Sequence, residues 1–346
     1  MPDATYGYVR SLSSADLREV SLPILMMNAF HLMQKPGSTL INTLGGLHRM
    51  AAWSGLIMTD SGGFQAYSLI RQNAKFGSLG DKGIIFYPEA SSRKLLLTPE
   101  KSIQLQMSYG SDILVCLDDC THVNASRAEQ EASVTRTLAW AARAKSSYLA
   151  QLRSRKWSEE ERPLIFAVIQ GGGELDLRRR CAEGLLEIGF DGFGFGGWPL
   201  DEDSRLLTDI LEYTRSLIPR KFPIHALGIG HPAGIAASYQ LGYEMFDCAL
   251  PTRDARHGRL FTWSKSDPIL SADGDWLKFR YINSEENFRD TGPISPDCDC
   301  ECCRDYAMAY LFHLYRMRDP GYMRLATKHN LRFMTRLIER LRAQNA

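Results

Sequence analysis

Seven short apolar runs, separated by segments of helical periodicity, constrain the fold of this chain more than any other feature. The runs occupy residues 23–27, 55–58, 113–117, 164–169, 193–195, 224–227 and 245–246. The intervening segments, such as residues 127–155 and 175–188, are long enough to form helices. Regular alternation of buried strands and helices predicts an α/β protein with a parallel sheet and right-handed crossover connections.

Two parallel-sheet architectures fit this alternation. A (β/α)8 TIM barrel requires an eighth strand, which only the first few residues of the chain can supply. An open doubly wound sheet does not need that strand, but no glycine-rich GxGxxG turn follows the first strand here. We therefore expect a (β/α)8 TIM barrel over residues 1–290. The glycines and the alternating apolar residues at about 66–98 predict a β-hairpin inserted after the third strand.

Polar or glycine residues follow the apolar runs, at the positions where the predicted strands end. These residues are Asn28, Asp60, Asp118, Asp119, Gln170, Gly196, Gly197, Gly228 and Asp247. Because every strand of a parallel barrel ends on the same face, they are expected to converge around one pocket. Each has a structural explanation when taken singly, such as Asp60 capping a turn or Asp118 capping a helix. Their recurrence at successive strand ends predicts a functional site.

The segment 241–256 contains the clearest of these strand ends. Its apolar run stops on Asp247, and a loop broken by Pro251 follows, carrying Arg253 and Arg256. A lone carboxylate at the end of a buried strand, followed by a basic loop, is typical of an active site. We therefore expect Asp247 to lie at the centre of the pocket.

The overall charge neither favours nor excludes a nucleic-acid partner, since 41 Lys and Arg residues balance 40 Asp and Glu residues. The distribution is uneven, however, because residues 304–346 contain nine Lys or Arg residues against three acids, interleaved with aromatic residues. Such a basic helical face is either an ordinary solvated surface or an electrostatic footprint for a phosphate backbone. The sequence leaves both interpretations open.

The sequence excludes two classes of location. It has no run of about 18 apolar residues, the length needed to span a membrane as a helix. Residues 1–17 lack the apolar core of a secretory signal peptide. We therefore expect a cytoplasmic protein.

Four of the eight cysteines lie within residues 298–303. In a reducing cytoplasm such clustering favours a metal site over disulfides or over four reactive surface thiols. Cys298, Cys300 and Cys303 with His329 would complete a closed tetrahedral Zn²⁺ site, which is structural rather than catalytic. His313 is a second candidate for the fourth ligand, and we interpret Cys302 as a bystander. Residues 291–346 are thus expected to form a zinc-binding helical subdomain integrated with the barrel.

Taken together, these motifs resemble those of the tRNA-guanine transglycosylases. The resemblance covers about residues 8–335 in the order of that family. Its motifs are NAFHL (28–32), GGLH (45–48), TDSGGFQ (59–65), DDC (118–120), QGG (170–172), GG (196–197), GIGHP (228–232), FDCALPTR (246–253), the cysteine cluster and HNLR (329–332). TDSGGFQ and FDCALPTR are highly specific. The resemblance implies a zinc-containing (β/α)8 barrel that exchanges guanine in tRNA for a 7-deazaguanine base.

The resemblance also implies catalytic roles for two carboxylates. Asp247 matches the nucleophile that forms a covalent ribosyl intermediate, which base exchange with retained configuration requires. Asp60 matches the group that protonates the leaving guanine and later deprotonates the incoming base.

The remaining implied positions bind the base or the tRNA. The base site is expected to include Asn28, Phe64, Asp118, Gln170, Gly197, Trp198 and Leu227. Asp118 would accept from guanine N1–H and the exocyclic amine, while Gln170 and the Gly197 N–H would hold O6. Phe64 and Leu227 would sandwich the ring, and Arg253 and Arg256 would engage the anticodon loop.

The family resemblance implies partners as well as residues. The expected substrate is a tRNA with a G34-U35-N36 anticodon, and the expected assembly is a homodimer formed near the zinc region, without membrane association. We expect no further RNA-binding domain after residue 346, which would favour position 34 over sites in the tRNA core. We also expect the β-hairpin lid that usually precedes the first strand to be missing, with either an open barrel floor or closure by residues 1–5.

Several positions depart from the usual pattern of the family. Ala29 and Leu227 are mild changes, whereas the loop that reads the base substituent contains Trp198 and Pro199. Since proline has no N–H, only the Trp198 carbonyl would face the C7 substituent. This predicts a preference for the amine bases preQ1 and queuine over the nitrile base preQ0. Trp198 could also narrow or reshape the exit that the queuine ring needs.

Two alternatives to an active tRNA enzyme remain at the level of sequence. A non-catalytic, zinc-containing partner subunit that orients tRNA would be expected to lose the catalytic carboxylates. Here Asp60, Asp118 and Asp247 are all present. A relative acting on DNA would be expected to have drifted in the LPTR and zinc motifs, which this chain retains.

Overall fold

The computed structural model describes residues 1–72, 74–87, 95–122, 124–265 and 268–344. This part of the chain contains twelve β-strands and fourteen α-helices. The strands are β1 (Ile24–Asn28), β2 (Leu56–Asp60), β3 (Gly77–Gly80), β4 (Gly83–Phe86), β5 (Leu95–Leu97), β6 (Ile113–Val115), β7 (Leu164–Ile169), β8 (Gly192–Phe195), β9 (Ile224–Leu227), β10 (Met245–Asp247), β11 (Arg259–Trp263) and β12 (Leu277–Tyr281). The helices are α1 (Ser14–Glu19), α2 (Ala29–Leu32), α3 (Ser38–Thr43), α4 (Leu47–Ala51), α5 (Gly63–Gln72), α6 (Pro99–Tyr109), α7 (Arg127–Arg155), α8 (Leu175–Ile188), α9 (Thr208–Ser216), α10 (Pro232–Gln240), α11 (Leu250–Arg256), α12 (Glu301–Asp305), α13 (Met308–Arg316) and α14 (Pro320–Gln344). None of the described helices combines the length and the apolar character that crossing a bilayer requires.

Seven strands form one parallel sheet that curls into a nearly closed barrel, in the order β1, β2, β6, β7, β8, β9, β10. The first residues of the chain lie between the two edge strands, where Pro2 bridges Cys248 and Asp3 bridges Met26. The Ala4 N–H donates to the Met26 carbonyl at 2.7 Å. This short segment occupies the place of an eighth strand, so the expected α/β barrel is confirmed.

The strands are apolar on both faces because the barrel buries both. In β7, Ile165, Ala167 and Ile169 pack outward against the helices. Phe166 and Val168 of the same strand point into the barrel, in one cluster with residues of β1, β2 and β6. A strand that is buried on both faces has a continuous apolar sequence, as β7 has.

Glycines on β8 make room inside the barrel. A Cβ atom on Gly192 would lie 2.3 Å from the Phe166 ring, and one on Gly194 would lie 2.6 Å from the Leu227 side chain. Both distances are too short for real contacts. The Phe166 ring therefore leaves no space for a side chain at Gly192 unless the ring moves, and a side chain at Gly194 would displace the end of Leu227.

The expected insertion is a three-stranded antiparallel sheet rather than a hairpin. β3 pairs with β4 as predicted, but β5 adds a third strand along β4. The insertion also begins later than residue 66, because α5 extends to Gln72. Residue 73 and residues 88–94 lie outside the described part of the chain. The sheet packs through Ile84 and Phe86 against Phe30 and Trp140, which anchors it beside the barrel.

The C-terminal helix α14 joins the barrel to the cysteine-rich region. Asn330 is fully buried on this helix, and its side chain accepts from the Phe261 N–H and donates to the Pro251 and Arg259 carbonyls. These bonds attach α14 to β11 and to α11, which follows the last barrel strand. Helix α14 is thus attached to the barrel side of the chain, and the division into a barrel of residues 1–290 and an integrated subdomain of residues 291–346 stays a prediction.

A buried ionic network attaches the first helix to the last. Lys328 is fully buried on α14 and pairs with Asp16 at 3.3 Å, and with Glu19 and Glu301. Arg324, one turn earlier, pairs with the same Asp16 and Glu301. Removing one partner of a buried ion pair leaves an uncompensated charge, so this network fixes how α1 and α12 sit on α14.

Candidate active site and metal centre

A cavity of about 460 Å³ opens at the carboxyl ends of the barrel strands. The strand-end residues of the sequence prediction converge on it, as parallel topology requires. All nine residues expected at the base site or in catalysis line this cavity: Asn28, Asp60, Phe64, Asp118, Gln170, Gly197, Trp198, Leu227 and Asp247. Arg253 and Arg256 lie outside it, on α11.

Asp247, the last residue of β10, is held by two hydrogen bonds. Its Oδ1 lies 2.8 Å from His225 Nε2 and accepts from the Gly228 N–H at 3.2 Å. Burial alone would raise the pKa of Asp247, but the hydrogen bond and charge of His225 together lower it below its ordinary value. Asp247 is therefore ionised at neutral pH, the state that a carboxylate nucleophile needs.

His225 is a site residue that the sequence analysis missed. It lies on β9 inside the run 224–227, which we interpreted only as a buried apolar strand. The one available signal was a histidine within that run, directly before the strand that ends on Asp247. Its side chain is almost fully buried and contacts the carboxylate.

Asp60, the last residue of β2, has the opposite electrostatic environment. Asn28, its register partner on β1, donates from Nδ2 to Asp60 Oδ2 at 2.6 Å. The N–H groups of Ala29 and Gly62 donate to Oδ1 at 3.2 and 3.0 Å. Burial nevertheless raises the pKa of Asp60 to about 7, and the negative charge of Asp247 acts in the same direction. Asp60 can therefore both donate and accept a proton near neutral pH.

Asp118 and Gln170 form a second polar group in the cavity. Gln170 donates from Nε2 to Asp118 Oδ2 at 2.6 Å. Burial raises the pKa of Asp118 to about 7 despite this bond. Gln170 is fully buried, and within the described residues its Oε1 has no hydrogen-bond partner. Buried polar atoms are normally paired, so this oxygen is available to a ligand.

Aromatic side chains surround the mouth of the cavity. Trp198 lies against Phe64 and His122, with ring centroids 5.8 and 5.9 Å apart. Asn124 donates to Glu202, which ties the loop after β6 to the loop after β8. Exposed aromatic faces at a pocket mouth are suited to stacking on a planar ring.

Arg256 and its neighbours Arg10 and Arg253 form a cationic group near Asp3 of the cavity wall. Arg256 is half-buried on α11, and its Nη1 has no hydrogen-bond partner within the described residues. Burial lowers the pKa of Arg256, and the nearby charges of Arg10 and Arg253 act in the same direction, whereas Asp3 of the cavity wall opposes them. Because Arg10, Arg253 and Arg256 are all positively charged, this group is suited to an anionic ligand such as a phosphate.

The cysteine cluster forms a buried group with the geometry of a metal site. The ligand atoms of Cys298, Cys300, Cys303 and His329 all lie within 4.8 Å of one another. His329 Nδ1 lies 3.2 Å from the Cys303 sulfur, while its Nε2 lies 2.7 Å from the Phe261 carbonyl. Such a carbonyl contact fixes the ring of a metal-binding histidine.

The same geometry decides between the two candidates for the fourth ligand. His313 is exposed on α13 and does not belong to the four-residue group, which His329 completes. Cys302 is fully buried but also lies outside the group, in agreement with its interpretation as a bystander.

The raised pKa of Asp118 predicts a pH-dependent effect on stability. A buried carboxyl with a raised pKa stabilises the folded state only while protonated, so its contribution is lost as the pH rises from about 4 through about 7. Asp118→Asn stays neutral and can still accept from Gln170. We expect its free energy of unfolding, measured with denaturant, to exceed that of the wild type by up to about 4 kcal/mol more at pH 8.5 than at pH 4, the value that corresponds to a shift of about three pKa units.

The exposed Asp275→Asn carries the same change of charge and serves as the control for this measurement. It is expected to show no such pH dependence. An Asp118→Asn effect that is equal at both pH values would contradict the buried, partly protonated state of Asp118.

Comparisons with known proteins show the family of this chain. A family model described as queuine tRNA-ribosyltransferase matches residues 1–344. Proteins named queuine tRNA-ribosyltransferase from Solidesulfovibrio magneticus, Lysinibacillus sphaericus and Psychrobacter sp. are 38%, 36% and 35% identical over 342 residues. These alignments cover 99% of this chain and 85%, 83% and 84% of the respective relatives. The chain therefore belongs to the queuine tRNA-ribosyltransferase family, whose members are pentosyltransferases.

Proposed function

We propose that this chain is a tRNA-guanine transglycosylase, which exchanges guanine 34 of the anticodon for a 7-deazaguanine base. The observation that carries the proposal is the opposite electrostatic setting of two carboxyls in one cavity. The pKa of Asp247 is lowered and that of Asp60 is raised to about 7. A nucleophile and a proton donor are the two groups that base exchange with retained configuration needs. The family membership supports the same reaction.

In the first half of the proposed reaction, ionised Asp247 attacks C1′ of the target ribose. The glycosidic bond breaks, an ester forms between C1′ and Asp247, and protonated Asp60 gives its proton to the leaving guanine. In the second half, Asp60 takes a proton from the incoming base, whose ring nitrogen attacks C1′ and releases Asp247. A pKa near 7 suits Asp60 to both proton transfers.

The base site reads a guanine that has left the anticodon stack. Asp118 would accept from N1–H and the exocyclic amine, while the Gln170 amide and the Gly197 N–H would donate to O6. Phe64 at the mouth and Leu227, paired with Asp247 in strand register, supply apolar surface for the ring. Asn28 holds Asp60 through its 2.6 Å bond.

The proposed partner is a tRNA with a G34-U35-N36 anticodon. Arg253 and Arg256, on the helix that follows Asp247, would bind phosphates of its anticodon loop. We further propose a homodimer that uses the α13 surface. There Tyr306 stacks on Tyr310 at 5.5 Å between ring centroids, and Tyr310 is 47% exposed. Thiol ligands and a tRNA substrate fit a reducing cytoplasm.

A non-catalytic partner subunit is the weaker alternative. Such a subunit needs the metal site and a tRNA surface but no ionised carboxylate in a buried cavity. The bonds that His225 makes to Asp247 and Asn28 makes to Asp60 argue for catalysis, because they tune groups that an inactive subunit would not use.

The direct test is uptake of labelled guanine into a tRNA with a G34-U35-N36 anticodon. The wild type is expected to incorporate the label, and Asp247→Asn to incorporate none. Asp60→Asn should lower the rate by about 10²–10⁴-fold, the usual contribution of a general acid. Asp275→Asn should match the wild type. Uptake of labelled guanine by Asp247→Asn would exclude Asp247 as the nucleophile. No uptake by any metal-loaded form of the protein, the wild type included, would favour the partner-subunit function.

The substrate loop predicts which base replaces guanine. Pro199 lines the cavity and cannot donate a hydrogen bond, so the Trp198 carbonyl is proposed to accept from an amine on the C7 substituent. Competition for labelled tRNA should therefore rank preQ1 or queuine ahead of preQ0, with Pro199→Ala narrowing the difference. A wild-type preference for preQ0 would refute this role of the loop.

The metal site is proposed to hold one structural Zn²⁺ per chain through Cys298, Cys300, Cys303 and His329. Three thiolates and an imidazole are a donor set that zinc prefers, and they leave no open position. The ion would connect α12 to α14.

Metal analysis of purified variants tests this assignment. Cys303→Ser is expected to lose most of the zinc and to melt several degrees below the wild type. Cys302→Ser removes a neighbouring buried thiol outside the group and should keep about one zinc per chain. Equal zinc loss in both variants would contradict the ligand set.

A further inference from the structure

Arg178 occupies an unusual position behind the base site. It lies on α8 and is 1% exposed. Its guanidinium donates to three backbone carbonyls, those of Gly172 at 2.7 Å, Gly196 at 3.1 Å and Ile169 at 3.3 Å. All three carbonyls belong to the ends of β7 and β8 or to the loop after β7. One side chain thus joins the two strand ends that carry the O6-binding groups.

The guanidinium of Arg178 is a buried charge. Within the described residues, no carboxylate lies at ion-pair distance from its guanidinium. Burial lowers the pKa of Arg178 to about 10, so the group remains charged at neutral pH. The Phe195 ring lies 4.2 Å from the guanidinium carbon and adds a cation–π contact. A buried cation stabilised only by carbonyl dipoles and a ring draws electron density from those carbonyls.

The Gly196–Gly197 peptide lies between Arg178 and the cavity. In a trans peptide the C=O and N–H bonds point in opposite directions. Since the Gly196 carbonyl points at Arg178, the Gly197 N–H points away from it, towards the cavity. There it faces Cys120, which also lines the cavity. The backbone turn has a φ of +89° at Gly197, which favours glycine.

We propose that Arg178 is a positioning residue for base recognition, which orients and polarises the Gly196–Gly197 peptide so that its N–H becomes a strong donor to O6 of the base. Hydrogen bonds in a chain strengthen one another, so a bond to the carbonyl strengthens the N–H of the same peptide. The Ile169 carbonyl accepts from both Arg178 and the Gly196 N–H. These two bonds fix the end of β7 directly before Gln170. This inference rests on the proposed function.

The test compares two bases that differ only at position 6. Guanine carries O6, whereas 6-thioguanine keeps N1–H and the exocyclic amine but presents sulfur, a weaker acceptor. Dissociation constants of both bases are measured by calorimetry for the wild type, Arg178→Met and Arg178→Lys. The control is Arg180→Met on the same helix, where the arginine is 46% exposed.

We expect Arg178→Met to weaken guanine binding by about tenfold, the value of one good hydrogen bond, and 6-thioguanine binding much less. The ratio of the two constants should therefore fall towards one. Arg178→Lys, which keeps the charge but has no fork of donors, should give an intermediate ratio. Arg180→Met should leave the wild-type ratio unchanged.

Two outcomes would overturn the inference. An equal loss of affinity for both bases would mean that Arg178 supports the fold without acting on O6, and unchanged affinities would mean that it does neither. If Arg178→Met does not fold, the ratio for Arg178→Lys decides alone. A folded, metal-loaded wild type that binds no guanine would instead overturn the proposed function, and this inference with it.

Discussion

Closure of a parallel barrel is the constraint on which the rest of this structure depends. Strands that are buried on both faces are largely apolar along their length, with few exceptions such as His225, and carry polar side chains at their ends. Parallel topology then brings every carboxyl end to one mouth, where Asn28, Asp60, Gln170 and Asp247 meet around one cavity. The first residues of the chain belong to the same arrangement, since they hydrogen-bond to both edge strands and complete the ring.

Burial gives the carboxyl groups of this cavity different ionisation states. Desolvation acts to raise the pKa of each of these carboxyl groups. Their pKa values differ because their hydrogen-bond partners differ. His225 lowers the pKa of Asp247, whereas amide partners leave the pKa of Asp60 and Asp118 raised to about 7. Behind the cavity, Arg178 acts on the backbone instead of on a carboxylate. Buried residues that do not line the cavity, His225 and Arg178, thus contact groups that do.

The sequence predicted the barrel, the strand-end carboxyls and the Cys3His group, because each depends on periodicity or spacing that a linear chain displays. It did not identify His225, whose neighbours made the whole strand look apolar. Arg178 was equally hidden, since it opens a run of three arginines on a helix and only packing decides which of them is buried. The insertion was predicted as a hairpin from its glycines and alternating apolar residues, which did not reveal the third strand, β5, of only three residues. Contacts between distant segments account for each of these differences.

The most direct test of the account is the mass of the intact chain after incubation with an anticodon stem-loop RNA that carries G34, in the absence of any incoming base. Denaturing mass spectrometry is expected to find a fraction of the chain bound covalently to the RNA through the peptide that contains Asp247. The adduct should disappear when preQ1 is added. A wild type that exchanges guanine without any such adduct, or an Asp247→Asn variant that still forms one, would contradict the central role of Asp247.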